Sequence, residues 1–241
     1  YGIPPYGIQG KEALIGLSPD EYAVVEVPVV GSDQTYINQN ISIHISGDTL
    51  KCSQNISYDG YMKIRMNEFF DGLDKKRELQ IASVVFELGN NKFGVTKIDK
   101  ANWGDRDAVL GVSMDFNIPG YVRANGNELY VNLFLDRYFD GQDVEDDREL
   151  PYEGNYERAI NGTVDLAVPE GYTVTYVPDN SEYEHDLFGY SLNYTQTENA
   201  VTLEYSYLVK HLILEPEHFE AWNDMISKLK KSYKQTIILS E

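Results

Sequence analysis

Ile41, Ile43 and Ile45 alternate with Ser42, His44 and Ser46, and after Gly47-Asp48 the alternation resumes at Leu50 and Cys52. One apolar face at a period of two predicts a half-buried strand on each side. The Gly-Asp pair predicts a two-residue hairpin loop, because glycine takes the positive φ of primed turns. Counting outward pairs Ile45 with Leu50, His44 with Lys51 and Ile43 with Cys52. The longest alternation, Ala108, Leu110, Val112, Met114, Phe116 and Ile118, predicts a half-buried antiparallel strand. Asn125-Gly126 predicts another tight hairpin, with Arg123 opposite Glu128 and Val122 opposite Leu129, and Leu129, Val131, Leu133 and Leu135 extend its buried face. Further strands are expected at 22–27, 93–98, 160–168, 172–177, 187–195 and 200–210, with Asn90-Asn91 turning the chain into the second of these.

The period changes to helical in three places. Met62, Met66, Phe69, Phe70 and Leu73 share one face, as do Ile81, Val84, Val85 and Leu88, although the second set is rich in β-branched residues and also fits a strand. Near the end, Pro216 suits a first helical turn, and Phe219, Trp222, Met225, Ile226 and Leu229 form an apolar stripe. Glu217 and Glu220 lie at the positive end of that helix and Lys228, Lys230 and Lys231 at the negative end. Gln235 to Leu239 reads as a closing strand. The fold class expected is mostly β with peripheral α. It consists of a smaller α+β portion over residues 1–104, then an antiparallel β-sandwich with a C-terminal helix over residues 105–241, divided at Asn102-Trp103-Gly104-Asp105.

Composition narrows the function. A chain of 241 residues that is 42% apolar can bury a core, so wholesale disorder is excluded. No apolar run approaches the roughly 18 residues of a membrane span. With 39 acidic and 20 basic residues the formal charge is −19, which repels nucleic-acid phosphates and anionic lipid, so no nucleic-acid partner is expected. Solubility is the plain reading of that charge. The chain opens at Tyr1 with no signal peptide and no methionine, which fits a processed form or an excised piece whose targeting segment is gone.

No complete catalytic set emerges. Cys52, the single cysteine, excludes an intramolecular disulfide and a zinc-thiolate cluster. As a nucleophile it would need a base within reach, yet the hairpin register puts it on the isoleucine face and His44 on the opposite one, so a buried structural cysteine is expected. His44, His185, His211 and His218 form no metal-binding spacing and read as scattered structural or surface residues. The acidic loop holding Asp136, Asp140, Asp143, Glu145, Asp146, Asp147 and Glu149 lacks the EF-hand spacing and reads as a solvated connection. Nothing in it selects a carboxylate pair for hydrolysis. The 19 tyrosines suit half-buried strands, or an exposed sheet face that meets a protein or glycan. The N-x-[ST] triplets at Asn40, Asn55, Asn161 and Asn193 read as chance patterns, and no nucleophile-elbow, P-loop or dinucleotide motif is present. No catalytic, cofactor-binding or metal residue is assigned, and no cofactor is expected.

Several stretches carry a resemblance. They are Gly7-Ile-Gln-Gly-Lys-Glu-Ala-Leu-Ile15, Tyr58-Asp-Gly60 followed by Arg65, and Asp147-Arg-Glu-Leu-Pro151 through Val168-Pro-Glu-Gly-Tyr172 to Pro178. The last is Glu217-His-Phe219 through Tyr233 to Ile237. Together they resemble the C-terminal region, of unknown function, of bacterial exported transglutaminase-like proteins. The resemblance implies an upstream core whose Cys-His-Asp triad would precede Tyr1, and a place in the periplasm or cell envelope of a Gram-negative bacterium. Three readings follow. The first is a non-catalytic accessory region that docks on such a core or mediates protein interaction. The second is a β-sandwich module that binds a glycan or an envelope protein. The third is a carboxylate-dependent hydrolase.

Overall fold

A computed structural model describes residues 2–86 and 92–241 of the chain. Leu88 and the expected Asn90-Asn91 turn lie outside the described residues. A first hairpin, β1 (Glu12–Ser18) and β2 (Glu21–Glu26), precedes a longer one, β3 (Tyr36–Ser46) and β4 (Thr49–Tyr58). Helices α1 (Gly60–Phe70) and α2 (Lys75–Val85) lead to β5 (Gly94–Ala101), β6 (Leu110–Ile118) and the small hairpin β7 (Arg123–Asn125) and β8 (Glu128–Val131). Then come β9 (Tyr152–Glu153), β10 (Arg158–Ala167), β11 (Thr173–Tyr176), β12 (Ser181–Glu184), β13 (Phe188–Gln196) and β14 (Ala200–Val209). The chain ends with β15 (Ile213–Leu214), α3 (Phe219–Ser232) and β16 (Ile237–Ser240).

The fold is predominantly β with short peripheral helices and a distinct C-terminal helix, as the alternation predicts. The large sheet has eight strands in the order β12-β13-β14-β10-β3-β4-β6-β5, and a four-stranded sheet runs β11-β16-β8-β7. One pairing departs from the antiparallel expectation. β3 and β10 run parallel, Ala159 opposite Tyr36 through Leu166 opposite Ile43. Parallel neighbours cannot be joined by a tight turn, so no local signal announces them. Strands from both sides of residue 104 enter the large sheet, β5 pairing with β6 and β3 with β10.

The inner face of the large sheet is apolar: Ile41, Ile43, Leu50, Ile56, Leu110, Phe116, Val164, Leu192 and Leu203 are all buried. They share one core with Val131, Ile237 and Leu239 of the small sheet and with Phe219, Trp222, Met225, Ile226 and Leu229 of α3. At roughly 25 cal/mol per Å² of apolar surface removed from water, this common core is the main source of stability. The outer face is polar and self-bonded. Ser113 Oγ donates to Asn55 Oδ1 at 2.8 Å, Asn161 Nδ2 to Asn38 Oδ1 at 3.0 Å, and Ser206 Oγ to Asn161 Oδ1 at 2.8 Å. Asn40, Asn55, Asn161 and Asn193 all sit in large-sheet strands. In a strand, residues i and i+2 face the same way, so an Asn followed two places on by Ser or Thr is what such a polar face spells.

The first long hairpin has the predicted register, Ile45 opposite Leu50, His44 opposite Lys51 and Ile43 opposite Cys52. In the second the loop moves by one residue and each partner by two. Asn125 faces Glu128, Ala124 faces Leu129 and Arg123 faces Tyr130, so Gly126-Asn127 forms the loop. Gly126, at φ +63°, supplies the positive φ at the first loop position, as a type II′ turn requires, which leaves Asn125 in the strand. The strand expected through Leu133 and Leu135 ends at Val131. Beyond it the backbone is irregular, with Asn132 Oδ1 accepting from Phe134 N at 2.7 Å and Asn132 Nδ2 donating to Tyr233 O at 2.8 Å. The β-branched segment near 81 is helical, because Asp74 caps α2, accepting from Arg77 N at 2.9 Å, and Lys75–Gln80 are good helix formers.

Candidate functional site

The residues singled out by sequence fall into different surroundings. Cys52 is buried, and burial pushes its thiol up to about 12, while His44 is exposed on the other face of the sheet. The reading of scattered histidines is corrected for three of the four. His185 stacks on Phe188 at 4.2 Å between ring centroids, His218 lies edge-on to His185 at 5.3 Å, and His211 lies 5.5 Å from Trp222. The loop after β12, the end of β14 and the turn before α3 bring them together. Among the described residues no group of three or more His, Cys, Asp or Glu side chains is placed to hold a metal ion.

The acidic loop is only partly a solvated connection. Phe139 and Val144 are buried. Asn223 of α3 grips Val144, with Oδ1 accepting from its N–H and Nδ2 donating to its carbonyl, both at 2.8 Å. Trp222 Nε1 donates to Gln142 O at 2.7 Å, and Lys230 pairs with Asp143. Residues 136–144 are therefore a wall of the molecule, anchored by Phe139 and Val144 with Arg137, Asp140, Gly141 and Asp143 exposed, and 145–149 are exposed throughout. Asp136 belongs to a polar cluster inside that wall. Gln54 Nε2 donates to Gln39 Oε1 at 2.7 Å, Gln39 Nε2 donates to the Tyr138 hydroxyl at 3.0 Å and to the Tyr205 hydroxyl, and the Tyr138 hydroxyl bonds to Asp136. Burial raises the Asp136 carboxyl above its usual range, against the lowering effect of the Arg137 N–H and Tyr138 bonds. Gly162 makes this reach possible. It pairs with Tyr205 on β14 and with Gln39 on β3, and its missing side chain lets the Tyr205 ring lie across β10.

Among the described residues Tyr58, Tyr61, Tyr156, Tyr190, Tyr205, Tyr207 and Tyr233 are buried, and most of the other tyrosines are half-buried. The tyrosines thus follow the reading of half-buried strands rather than the alternative of an exposed sheet face, which Asn, Ser and Thr largely occupy. Tyr152 is exposed at the rim of a cleft of about 500 Å³ between α1, the 152–158 segment and α3.

Met62 and Arg65 reach this cleft from α1, Tyr138 and Gln142 from the irregular wall, Arg158 from the start of β10, His211 from beyond β14, and Trp222 from α3. The Tyr156 ring stacks on Tyr61 at 5.3 Å, and its hydroxyl lies 3.6 Å from Met62 Sδ. Gly60, at φ +56°, starts α1 against the 34–35 backbone, where a Cβ would lie 2.3 Å from Gln34 O. Asp59 accepts the Gly60 N–H at 2.8 Å.

The electrostatics of the cleft oppose those of the whole chain. Arg158 is half-buried, its guanidinium 3.5 Å from Gln142 Oε1 and 5.9 Å from the Phe139 ring centre. Among the described residues no carboxylate lies within 4 Å of Arg65 or Arg158. Glu153 lines the cleft, but its carboxylate is paired with Lys11 at 3.1 Å. Burial lowers the Arg158 pKa, and Arg65 nearby lowers it further. Burial also lowers His211, with Arg158, His218 and His185 adding to the effect and the bond to Leu187 O opposing it, so the imidazole is neutral at pH 7. The cleft thus offers two guanidinium groups, phenol hydroxyls and aromatic rings. A wider hollow of about 950 Å³ lies across α1, but several of its polar groups hold the chain together. Asp59 caps α1, Asp105 Oδ1 accepts from Asp107 N at 2.9 Å, and Lys63 Nζ donates to Arg106 O at 2.9 Å.

Sequence reasoning singled out Arg65 only as part of a signature and assigned no role to Arg158. They stand far apart in the chain, and only the fold joins them.

Residues 127–239, a little under half the chain, match the model of a family described as a domain of unknown function with a solved structure, DUF3858. The match covers β8 to β16 and so includes Arg158, His211 and Trp222, but not Arg65. Comparison with curated proteins gave no match. Among solved structures, the chain is similar to one described as a "putative protease" from Parabacteroides distasonis, at 10% identity and a TM-score of 0.36. That similarity covers 41% of this chain and 19% of the other, so the aligned part is under a fifth of that protein's length.

Proposed function

We propose that the chain is a non-catalytic binding module of the bacterial cell envelope, whose ligand, a glycan or a segment of an envelope protein, docks in the cleft between α1, residues 152–158 and α3. The supporting observation is the cleft itself. At about 500 Å³ it falls within the roughly 300–1,000 Å³ of small-ligand sites. It joins an apolar floor of Ile37, Ile160 and Val209 to the aromatic and hydrogen-bonding side chains that fix a ligand's orientation. The test is a screen of glycans and peptides against the chain and against Tyr152→Ala, an exposed rim change that spares the core. Saturable binding weakened by the substitution is expected. Binding that ignores it would move the site elsewhere.

A second reading, docking on a transglutaminase-like core, draws on β1 and β2. Leu14, Leu17, Tyr22 and Val24 of this hairpin are each more than half exposed, on both of its faces. Large apolar side chains left in water in such number mark an interaction surface. Co-elution of the chain with a separately expressed core, lost on Leu14→Lys with Val24→Lys, would support it. Independent elution would remove it.

A further inference from the structure

The cleft is lined by two guanidinium groups, and among the described residues no carboxylate lies within 4 Å of either. Its one lining carboxylate, Glu153, is paired with Lys11, in a chain that has nearly two acidic residues for every basic one. Such a composition makes it easy to give a cation a carboxylate neighbour, although the ion pairs here are made by lysines. Lys11, Lys97, Lys100, Lys228 and Lys230 each have one. Arg158 is half-buried and has none within 4 Å, and its nearest recorded polar contact is the neutral Gln142 amide at the outer limit of a hydrogen bond. Arg65 lines the same cleft and repels it. Arg65 is exposed and keeps its hydration, but the half-buried Arg158 guanidinium without compensation disfavours the empty state, and an anion entering the hollow removes that penalty. The planar fork of arginine matches the paired oxygens of a carboxylate or phosphate better than any other side chain does.

The surroundings sharpen the class. His211 is neutral at pH 7, so the positive charge lining the cleft comes from Arg65 and Arg158, with Arg148 beside the Tyr152 rim. Glu153 stays engaged with Lys11. Tyr152, with Arg148 over its ring, and the small accessible edge of the otherwise buried Trp222 line the place where the body of a small molecule would rest. We infer that the cleft selects a small anionic ligand, one that sets a carboxylate or phosphate oxyanion between Arg65 and Arg158 and rests its body against Tyr152 and Trp222. This rests on the binding-module reading above and narrows it.

The experiment uses the chain with Trp103→Phe, which leaves Trp222 as the remaining one of its two tryptophans and so a reporter in the cleft. Fluorescence is titrated with glucuronate, inorganic phosphate and neutral glucose at low and high salt. A saturable response to glucuronate or phosphate that weakens with salt and is missing for glucose is expected. The stronger of the two anions identifies the oxyanion. Arg65→Gln and Arg158→Gln should each weaken the response at least about tenfold, as loss of a charge-assisted bond does. Arg158→Gln should also melt no lower than the parent when no ligand is present, because it relieves an uncompensated charge. Equal affinity for glucose and glucuronate would overturn the anionic class and leave the binding reading standing. No saturable response to the anions, alongside binding of neutral glycans in the screen, would do the same. Silence to every probe in both experiments would sink both readings. Anion binding that Arg65→Gln and Arg158→Gln leave intact would overturn the assignment to these arginines.

Discussion

Gln39 on β3 donates its Nε2 to the Tyr138 hydroxyl at 3.0 Å, a bond between residues 99 apart in the chain. It ties the inner face of the large sheet to the wall that carries the cleft, and Tyr138 in turn bonds to Asp136. Tyr138→Phe removes both bonds, leaving Gln39 Nε2 with Tyr205 alone and Asp136 with the Arg137 N–H alone. A loss of about 1–3 kcal/mol is expected, measured by urea denaturation.

Asp136 should oppose stability at neutral pH. Burial raises its carboxyl in the folded chain above the ordinary 3.8, so between 3.8 and the raised value the native state holds more protons than the unfolded one. Stability from this group therefore falls as pH rises through that window. Asp136→Asn keeps an oxygen for the Tyr138 and Arg137 bonds without the charge. The variant should be more stable than the parent at pH 7, and the difference should shrink as pH falls to 3.8. Thermal melts of the two across that range measure it.

His211 has the opposite dependence. Its pKa is lowered from 6.5, so as pH falls below 6.5 the unfolded state takes up protons first and the folded state loses ground. The parent should lose stability progressively from pH 6.5 towards 5, and His211→Phe should show less of that loss. Matched denaturation curves at several pH values would reveal the difference. A parallel pair of curves would mean that His211 does not titrate in this window.

Cys52 should be chemically silent. With its thiol pushed up to about 12 and its side chain buried, it should resist Ellman's reagent at pH 8 in the folded state and react fully in denaturant. Reaction at the same rate in both states would contradict the burial.

Gly60 is the hinge on which α1 enters. A Cβ there would strike Gln34 O at 2.3 Å and Thr35 Oγ1 at 2.5 Å, at a φ of +56° that disfavours other residues. Gly60→Ala should destabilise the chain by more than the roughly 1–2 kcal/mol of the backbone conformation alone, seen as a lowered melting temperature.

Legibility followed the range of each interaction. The Gly47-Asp48 hairpin and α3 were readable because alternation, turn chemistry and charge at helix ends are local. The one-residue error at Gly126 came from a glycine that fits either loop position until its φ is known. The segment beyond Val131 misled because Leu133 and Leu135 are buried as a strand would bury them, while Asn132 spends its side chain on bonds that a strand would not need. The cleft was illegible altogether. Arg158 carries no spacing signal, Trp222 signals only an apolar helix stripe and Arg65 only a family resemblance, and their proximity depends on β10 settling beside β3.

That settling has a kinetic side. β3 and β10 meet across 123 residues, as the Asn38–Asn161 contact shows, and theirs is the central pairing of the large sheet. Closing so long a loop is slow compared with zipping a hairpin. During synthesis from the N-terminus, the 36–58 hairpin can form early, with one edge of β3 bare until β10 has been made. Folding should therefore proceed through a state with that edge open, the stage at which the chain is most prone to pair with a neighbour. Arg158 begins β10, so that edge is sealed before the cleft, whose far wall is α3, can be completed.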